Sequence, residues 1–124
     1  LFSKICGDFN PVHHDPEFAE KTIFGKQIAH GMISVSKFSG IFGMDSPGLG
    51  AIYLNQTVQF AKPVYLDHPY QAIARVKEVN VDKNLITYET YCINAETHEE
   101  VMRGEAQLKA IPAKVREKLE TDAV

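Results

Sequence analysis

Residues 28–43 decide the fold, and they read IAHGMISVSKFSGIFG. The larger apolar side chains recur at spacings of three and four, the period of an α-helix; they are Ile28, Met32, Val35, Phe38 and Phe42. Only Lys37 is formally charged, and glycine or serine occupies many of the remaining positions. A helix that is apolar or small on nearly every side is usually buried. The sequence therefore predicts a central helix around which strands pack closely.

After Gly48 the apolar period changes from 3.6 to 2, which is typical of β-strands. The predicted runs are 52–60, which Pro63 ends or interrupts, then 70–81, 84–95 and 100–111. The breaks between them are too short for helical crossovers, so we expect an antiparallel sheet. A helix followed by an antiparallel meander predicts a single α+β domain over residues 1–124. The open edges of so small a sheet favour a homodimer in which a second subunit covers an edge.

Shorter elements are predicted on both sides of this unit. Residues 1–6 look like the end of a helix closed by Gly7, and because the chain starts there without Met we expect N-terminal residues ahead of it. Asp15 is a suitable cap for a short helical turn that begins at Pro16. Residues 112–124 are charged and are predicted to form a loose terminal helix or tail.

Composition excludes several classes of protein. The chain has 124 residues, with 13 basic and 16 acidic side chains and a net charge of −3. This charge and the absence of a basic run argue against binding to nucleic acid or to anionic membranes. No apolar stretch reaches the roughly 18–20 residues that span a bilayer. Cys6 and Cys92 lie far apart without a metal or redox spacing, which favours a reducing, cytoplasmic location.

The densest polar cluster runs from Gly7 to Asp15 and reads GDFNPVHHD, and a second is His30-Gly31-Met32. Four of these residues are of types that bind metals: His13, His14, Asp15 and His30. Adjacent histidines usually point apart, and no His-x-x-x-His pair or cysteine partner accompanies them, so we predict no metal site. The sequence also lacks a Gly-x-Ser-x-Gly elbow and a phosphate-binding loop.

Asp8 and His13 are the remaining candidates for acid–base chemistry. They are five positions apart on a loop that Asn10 and Pro11 can make rigid. A carboxylate and an imidazole that share one water can serve as general acid and base. The alternative is that Asp8 caps a turn and His13 is an ordinary polar loop residue. The residue pattern leaves both interpretations open.

The motif GDFNPVH over Gly7–His13 closely resembles the hydratase-2 signature of the MaoC-like, (R)-specific enoyl-CoA hydratases. The resemblance extends in family order over residues 1–111, through 29–32, 38–40, 47–54, 58–64 and 103–106. It is strongest with the small bacterial hydratases that feed β-oxidation intermediates into polyhydroxyalkanoate synthesis. The family adopts the hot-dog fold, a curved antiparallel sheet wrapped around a central helix. The resemblance also implies a first strand ahead of Leu1.

The resemblance implies roles for individual residues. Asp8 and His13 match the catalytic pair, and Gly31 matches the glycine whose backbone N–H meets the thioester carbonyl. Asn10 matches the motif asparagine, which would hold the loop at the substrate site, and His14 has no implied role and is expected to face solvent. Ser39 matches a pocket serine. We further predict that Phe38 and Phe42 beside it line the acyl tunnel, with plain core packing as the alternative.

The predicted activity is reversible (R)-specific hydration of trans-2-enoyl-CoA to (R)-3-hydroxyacyl-CoA, catalysed by a hydro-lyase without a metal or other cofactor. The alternatives are an acyl-carrier-protein-dependent 3-hydroxyacyl dehydratase and a non-catalytic acyl-CoA-binding hot-dog domain. A hot-dog thioesterase fits the Asp8 and His13 pair less well. Lys26, Lys62 and Arg103 are candidate contacts for the CoA phosphates.

Overall fold

The computed structural model of the chain describes residues 1–112 together with 115, 117 and 118. The first half is helical: α1 Phe2–Cys6, a 3₁₀ turn Pro11–His13, α2 Pro16–Glu20 and α3 Gly31–Met44. The second half is β: β1 Ile52–Gln56, β2 Gln59–Phe60, β3 Tyr70–Asn80, β4 Leu85–Asn94 and β5 Glu100–Lys109. The terminal helix or tail predicted for 112–124 lies almost wholly outside the described residues.

The sheet is antiparallel throughout and has the order β1-β5-β4-β3, with β2 pairing to β5 beyond β1. The three long strands lie within two residues of their predicted bounds. Register shifts at Tyr53/Asn55, Val76/Glu78 and Cys92/Ile93 interrupt the ladders. Such irregularities bend strands and increase their twist, which is how a sheet curves over a helix. The predicted α+β class and antiparallel sheet are confirmed.

The first predicted strand, residues 52–60, is split into β1 and β2 by the backbone at Thr57. This segment crosses β5 so closely that a Cβ on Gly104 would lie 1.8 Å from the Thr57 carbonyl oxygen. Thr57 N–H donates to the Glu105 carbonyl at 2.8 Å, and Glu105 N–H donates to Thr57 Oγ1 at 3.0 Å. Gly104 is therefore required for the approach of two backbones.

The central helix begins later than the sequence predicted. Residues 28–30 are extended, because Ile28 forms a β-bridge with Tyr65 and Ala29 N–H donates to the Val64 carbonyl at 2.8 Å. Helix α3 starts at Gly31, with His30 as its N-cap residue. The error arises because the apolar periodicity of the sequence continues through a segment that tertiary pairing holds extended.

The expectation that this helix is buried on nearly every side is wrong for the single chain. Ser34, Phe38 and Phe42 lie on one face and are buried against the sheet. Met32 and Met44 on other faces are 56% and 83% exposed. A single curved sheet covers only one side of a helix. The buried core joins Phe38 and Phe42 to inward-facing residues of β4 and β5, namely Tyr88, Cys92, Val101, Met102, Ala106 and Leu108.

The predicted boundaries of the short helices are confirmed. Gly7 closes α1 in the left-handed region with φ of 83°, and its N–H donates to the Ser3 carbonyl. Asp15 accepts hydrogen bonds from the N–H groups of Glu17 and Phe18 at the start of α2. No helix among the described residues is long and apolar enough to cross a membrane.

Candidate active site

The loop between α1 and α2 is held by its own polar side chains. Asp8 Oδ1 accepts the N–H of Asn10 at 3.0 Å, and Asn10 Oδ1 accepts the N–H of Val12 at 3.3 Å. Pro11 begins the 3₁₀ turn that Asn10 caps. Val12 is buried and anchors the loop. Asn10 thus shapes the loop, which is the part of its predicted role that the hydrogen bonds describe.

Asp8 and His13 face each other across a short gap. Asp8 Oδ2 lies 3.7 Å from His13 Nε2, and the two side chains are 51% and 11% exposed, respectively. His13 Nδ1 is 2.8 Å from the Ile28 carbonyl oxygen. Because a carbonyl oxygen only accepts, Nδ1 carries a hydrogen, and in the neutral ring Nε2 offers its lone pair toward Asp8. A polar gap longer than 3.5 Å between two such groups suits a bridging water.

Gly31 occupies the first position of α3, where backbone N–H groups have no intrahelical acceptor. The side chain of the N-cap residue His30 makes no capping hydrogen bond, so it does not take up these donors. A Cβ at Gly31 would lie 2.6 Å from Phe60 Cε1, so a larger residue would displace the phenyl ring. The helix dipole favours negative charge at this end.

His13 and Gly31 line the same cavity, whose volume is about 360 Å³. Most of its other lining is apolar, including Phe24 from the segment after α2, Phe60 of β2 and Met102 of β5. Such a cavity, with a mostly apolar lining and a few polar groups, is suited to an acyl chain.

Ser34 is one of the few polar residues in the lining of this cavity. It makes a hydrogen bond to the buried Cys92 side chain. Burial raises the pKa of the Cys92 thiol, although the Ser34 hydrogen bond acts in the opposite direction. At neutral pH this keeps Cys92 as an uncharged thiol.

Sequence reasoning missed a polar cluster beneath the loop that carries Asp8 and His13. His30 Nε2 lies 2.9 Å from the Asp8 carbonyl oxygen and 3.1 Å from Ser3 Oγ, and the His30 ring stacks on His13 at 3.9 Å between centroids. His14 is exposed as expected, yet its Nε2 is 2.6 Å from Ser3 Oγ. The signal available in the sequence was His30 beside Gly31, whereas nothing marked Ser3.

Asp8, His13 and His30 together offer three ligand atoms within 4.8 Å of one another. The two imidazole planes are stacked at an angle of 26°. Their lone pairs lie in the ring planes and run almost side by side, so they do not converge on an ion at the roughly 2.0–2.1 Å that zinc requires. This donor set does not fit a metal ion, and the absence of a metal remains a prediction.

Three of the predicted pocket residues lie on α3 but do not line the cavity beside His13. Phe38 and Phe42 are 0% and 1% exposed and pack in the core, and Ser39 is exposed. None of them belongs to the lining of the cavity beside His13. Their role in an acyl tunnel stays a prediction.

The three basic side chains predicted to contact the CoA phosphates differ in their position relative to this cavity. Lys62 lines the cavity and pairs with Glu99 at 2.9 Å. Lys26 pairs with Asp67 at 3.1 Å, and Arg103 pairs with Glu89 and Glu100 on strands β4 and β5. Of the three basic side chains, Lys62 alone adjoins this cavity.

A curved antiparallel sheet on a long helix, with a carboxylate–imidazole pair beside the N-terminus of that helix, defines the hot-dog class of hydratase-like domains. The sequence profile of the MaoC like domain matches residues 1–98. The chain belongs to this family.

Named relatives agree with this assignment. An (R)-specific enoyl-CoA hydratase from Aeromonas caviae is 42% identical over 89 residues, which are 72% of this chain and 66% of that protein. One from Rhodospirillum rubrum is 36% identical over 92% of this chain and 77% of that protein. The solved structure of the A. caviae (R)-hydratase involved in PHA biosynthesis superposes with a TM-score of 0.85 and 37% identity, covering 89% of this chain and 83% of the other.

Proposed function

We propose that the protein is an (R)-specific enoyl-CoA hydratase that reversibly adds water to trans-2-enoyl-CoA. The observation that carries this proposal is the 3.7 Å gap between Asp8 Oδ2 and His13 Nε2 beside an apolar cavity. Two relatives that bear the name (R)-specific enoyl-CoA hydratase support the substrate class.

In the proposed reaction Asp8 and His13 hold one water in the gap between them. His13 Nε2 takes a proton from the water as its oxygen bonds to C3, and negative charge moves through the double bond to the thioester oxygen. The Gly31 N–H stabilises this oxyanion, a contribution that is often worth about 10²–10³ in rate. A proton from the pair then returns to C2, so that one water is added and no redox step or added cofactor is needed.

The test is the hydration of crotonyl-CoA by the purified protein, followed as the loss of the enoyl absorbance. The product is then offered to dehydrogenases specific for (R)- and (S)-3-hydroxyacyl-CoA. We expect oxidation by the (R)-specific enzyme alone. An (S) product would refute the proposed stereochemistry, and binding of crotonyl-CoA without loss of absorbance would favour a non-catalytic binding domain. A much higher kcat/KM for crotonyl-acyl-carrier-protein would favour the dehydratase alternative.

We also propose that the enzyme works as a homodimer. Strands β1 and β3 are the edges of the described sheet, and large apolar side chains are exposed on and near α3 and β1. These are Met32, Met44, Ile52, Leu54 and Phe60. Exposed apolar surface of this kind beside an open edge is typical of an interface. Light scattering at micromolar concentration should give twice the chain mass, and a fully active monomer would contradict this proposal.

A further inference from the structure

Ser3 sits at the centre of a hydrogen-bond chain that joins α1 to the catalytic loop. It is 2% exposed, and its hydroxyl contacts His14 Nε2 at 2.6 Å and His30 Nε2 at 3.1 Å. His30 itself is 8% exposed, and the ring of Phe2 lies 5.1 Å from its ring. A buried hydroxyl between two imidazoles needs a defined direction for each hydrogen bond.

The Asp8 carbonyl oxygen determines the first of these directions. The Asp8 carbonyl oxygen can only accept, so His30 Nε2 carries the hydrogen that it shares with Asp8 O and Ser3 Oγ. Ser3 Oγ accepts from His30 and keeps its own hydrogen, and we infer that it donates this hydrogen to His14 Nε2 at 2.6 Å. In that arrangement His14 carries its ring hydrogen on Nδ1, and His30 carries one on Nε2.

The ring at the inner end of this chain touches both members of the catalytic pair. His30 holds the backbone carbonyl of Asp8 at 2.9 Å, and it stacks on His13 with 3.9 Å between centroids. A rotation of His30 would move the Asp8 backbone and remove the surface on which the His13 ring rests. The width of the gap in which water would bind depends on both positions.

We propose that Ser3 and His14 are positioning residues of the hydration site, which fix the orientation of His30 and thereby the separation of Asp8 and His13. The inference rests on the proposed hydratase function. Neither residue belongs to the lining of the cavity, so they act on the alignment of the reacting groups and not on substrate binding.

The test compares Ser3→Ala, His14→Leu and His14→Gln with the wild-type protein. Misalignment of reacting groups by about 1 Å can cost on the order of 100-fold, so the first two variants should lose about 10- to 100-fold in kcat with KM unchanged. In His14→Gln the amide oxygen can still accept the Ser3 hydroxyl, so it should recover most of kcat. The double variant Ser3→Ala/His14→Leu should be no worse than the poorer single variant, because both interrupt one chain.

Two matched control variants make the same substitutions at residues outside the hydrogen-bond chain of Ser3, His14 and His30. Ser36→Ala removes a hydroxyl that donates to a carbonyl within α3, and His68→Leu removes an exposed histidine that faces Asp67 and Glu96. Both should keep the wild-type kcat. Thermal unfolding of every variant measures the folded fraction, and if Ser3→Ala does not fold, the comparison of the two variants at His14 decides alone.

A spectroscopic measurement tests the hydrogen-bond chain independently of enzymatic activity. Ring ¹⁵N shifts should show the Nδ1–H tautomer for His14 and a hydrogen on Nε2 for His30 in the wild type, and a mixed tautomer for His14 in Ser3→Ala. Equal losses in His14→Gln and His14→Leu, or a rise in KM in place of a fall in kcat, would overturn the proposal. If the wild-type protein does not hydrate crotonyl-CoA, the proposed function fails. The ring ¹⁵N shifts of His14 and His30 still test the hydrogen-bond chain in that case.

Discussion

Replacing Asp8 by Asn separates the charge of this residue from its structural contact. The amide oxygen of Asn can still accept the Asn10 N–H that Asp8 Oδ1 accepts at 3.0 Å. The amide nitrogen then takes the place of Oδ2, 3.7 Å from His13 Nε2. A donor now faces the lone pair of His13, and the carboxylate that would hold the water is lost. The change therefore removes the chemistry and keeps the turn.

The expected loss follows from the size of acid–base catalysis. A positioned acid or base contributes about 10²–10⁴ in rate, which is about 3–5 kcal/mol of barrier at about 1.36 kcal/mol per tenfold. Asp8→Asn and His13→Ala should each lower kcat for crotonyl-CoA by this factor. The double variant should cost little more than the worse single one, because groups that act on one step are strongly non-additive.

The control is Asp15→Asn, the same substitution seven positions further along. Asp15 caps α2 through its side-chain oxygen, and Asn is an equally good cap. Its kcat should not change, and circular dichroism should show that all variants are folded. Multiplication of the two single losses would refute the shared water, and near-normal activity of Asp8→Asn would leave Asp8 as a turn residue only.

Three further outcomes are expected. Ser39→Ala should alter the relative kcat/KM for C4, C6 and C8 enoyl-CoAs more than the melting temperature, and an unchanged profile would remove Ser39 from the acyl site. Gly31→Ala should lower kcat because its Cβ would lie 2.6 Å from the Phe60 ring. Adding Phe60→Leu to Gly31→Ala should restore part of kcat, and no recovery would show that the clash is not the cause. Gly104→Ala should destabilise the fold by about 1–3 kcal/mol or more in urea unfolding, since its Cβ would meet backbone, and an unchanged midpoint would refute the close crossing.

Local patterns were sufficient wherever neighbours in the chain determine the structure. The strands at 70–80, 85–94 and 100–109 follow from alternation and short breaks, because a period of two suits a pleated surface. Gly7 and Asp15 mark helix boundaries through backbone conformation and capping, which are properties of a few consecutive residues. The loop motif placed Asp8 and His13 on one short segment, which limits how far apart they can lie.

Other features depend on contacts between residues that are distant in the chain. Residues 28–30 pair with the segment near Tyr65 and leave the helix, although their periodicity is helical. The side chains of the Phe38 face are buried and those of the Met32 face are open, because a single sheet covers one side of α3.

By itself, then, the sequence determined the elements, their antiparallel pairing and the chemical groups of the Asp8 and His13 pair, since periodicity, capping and residue type are local. The tertiary structure decided which atoms face each other. It brings His30 and Ser3, 27 positions apart, within 3.1 Å, and it stacks His30 on His13. It also sets the 3.7 Å gap at Asp8. These distances arise because α1, the loop and the start of α3 pack against one another, and no local pattern encodes that packing.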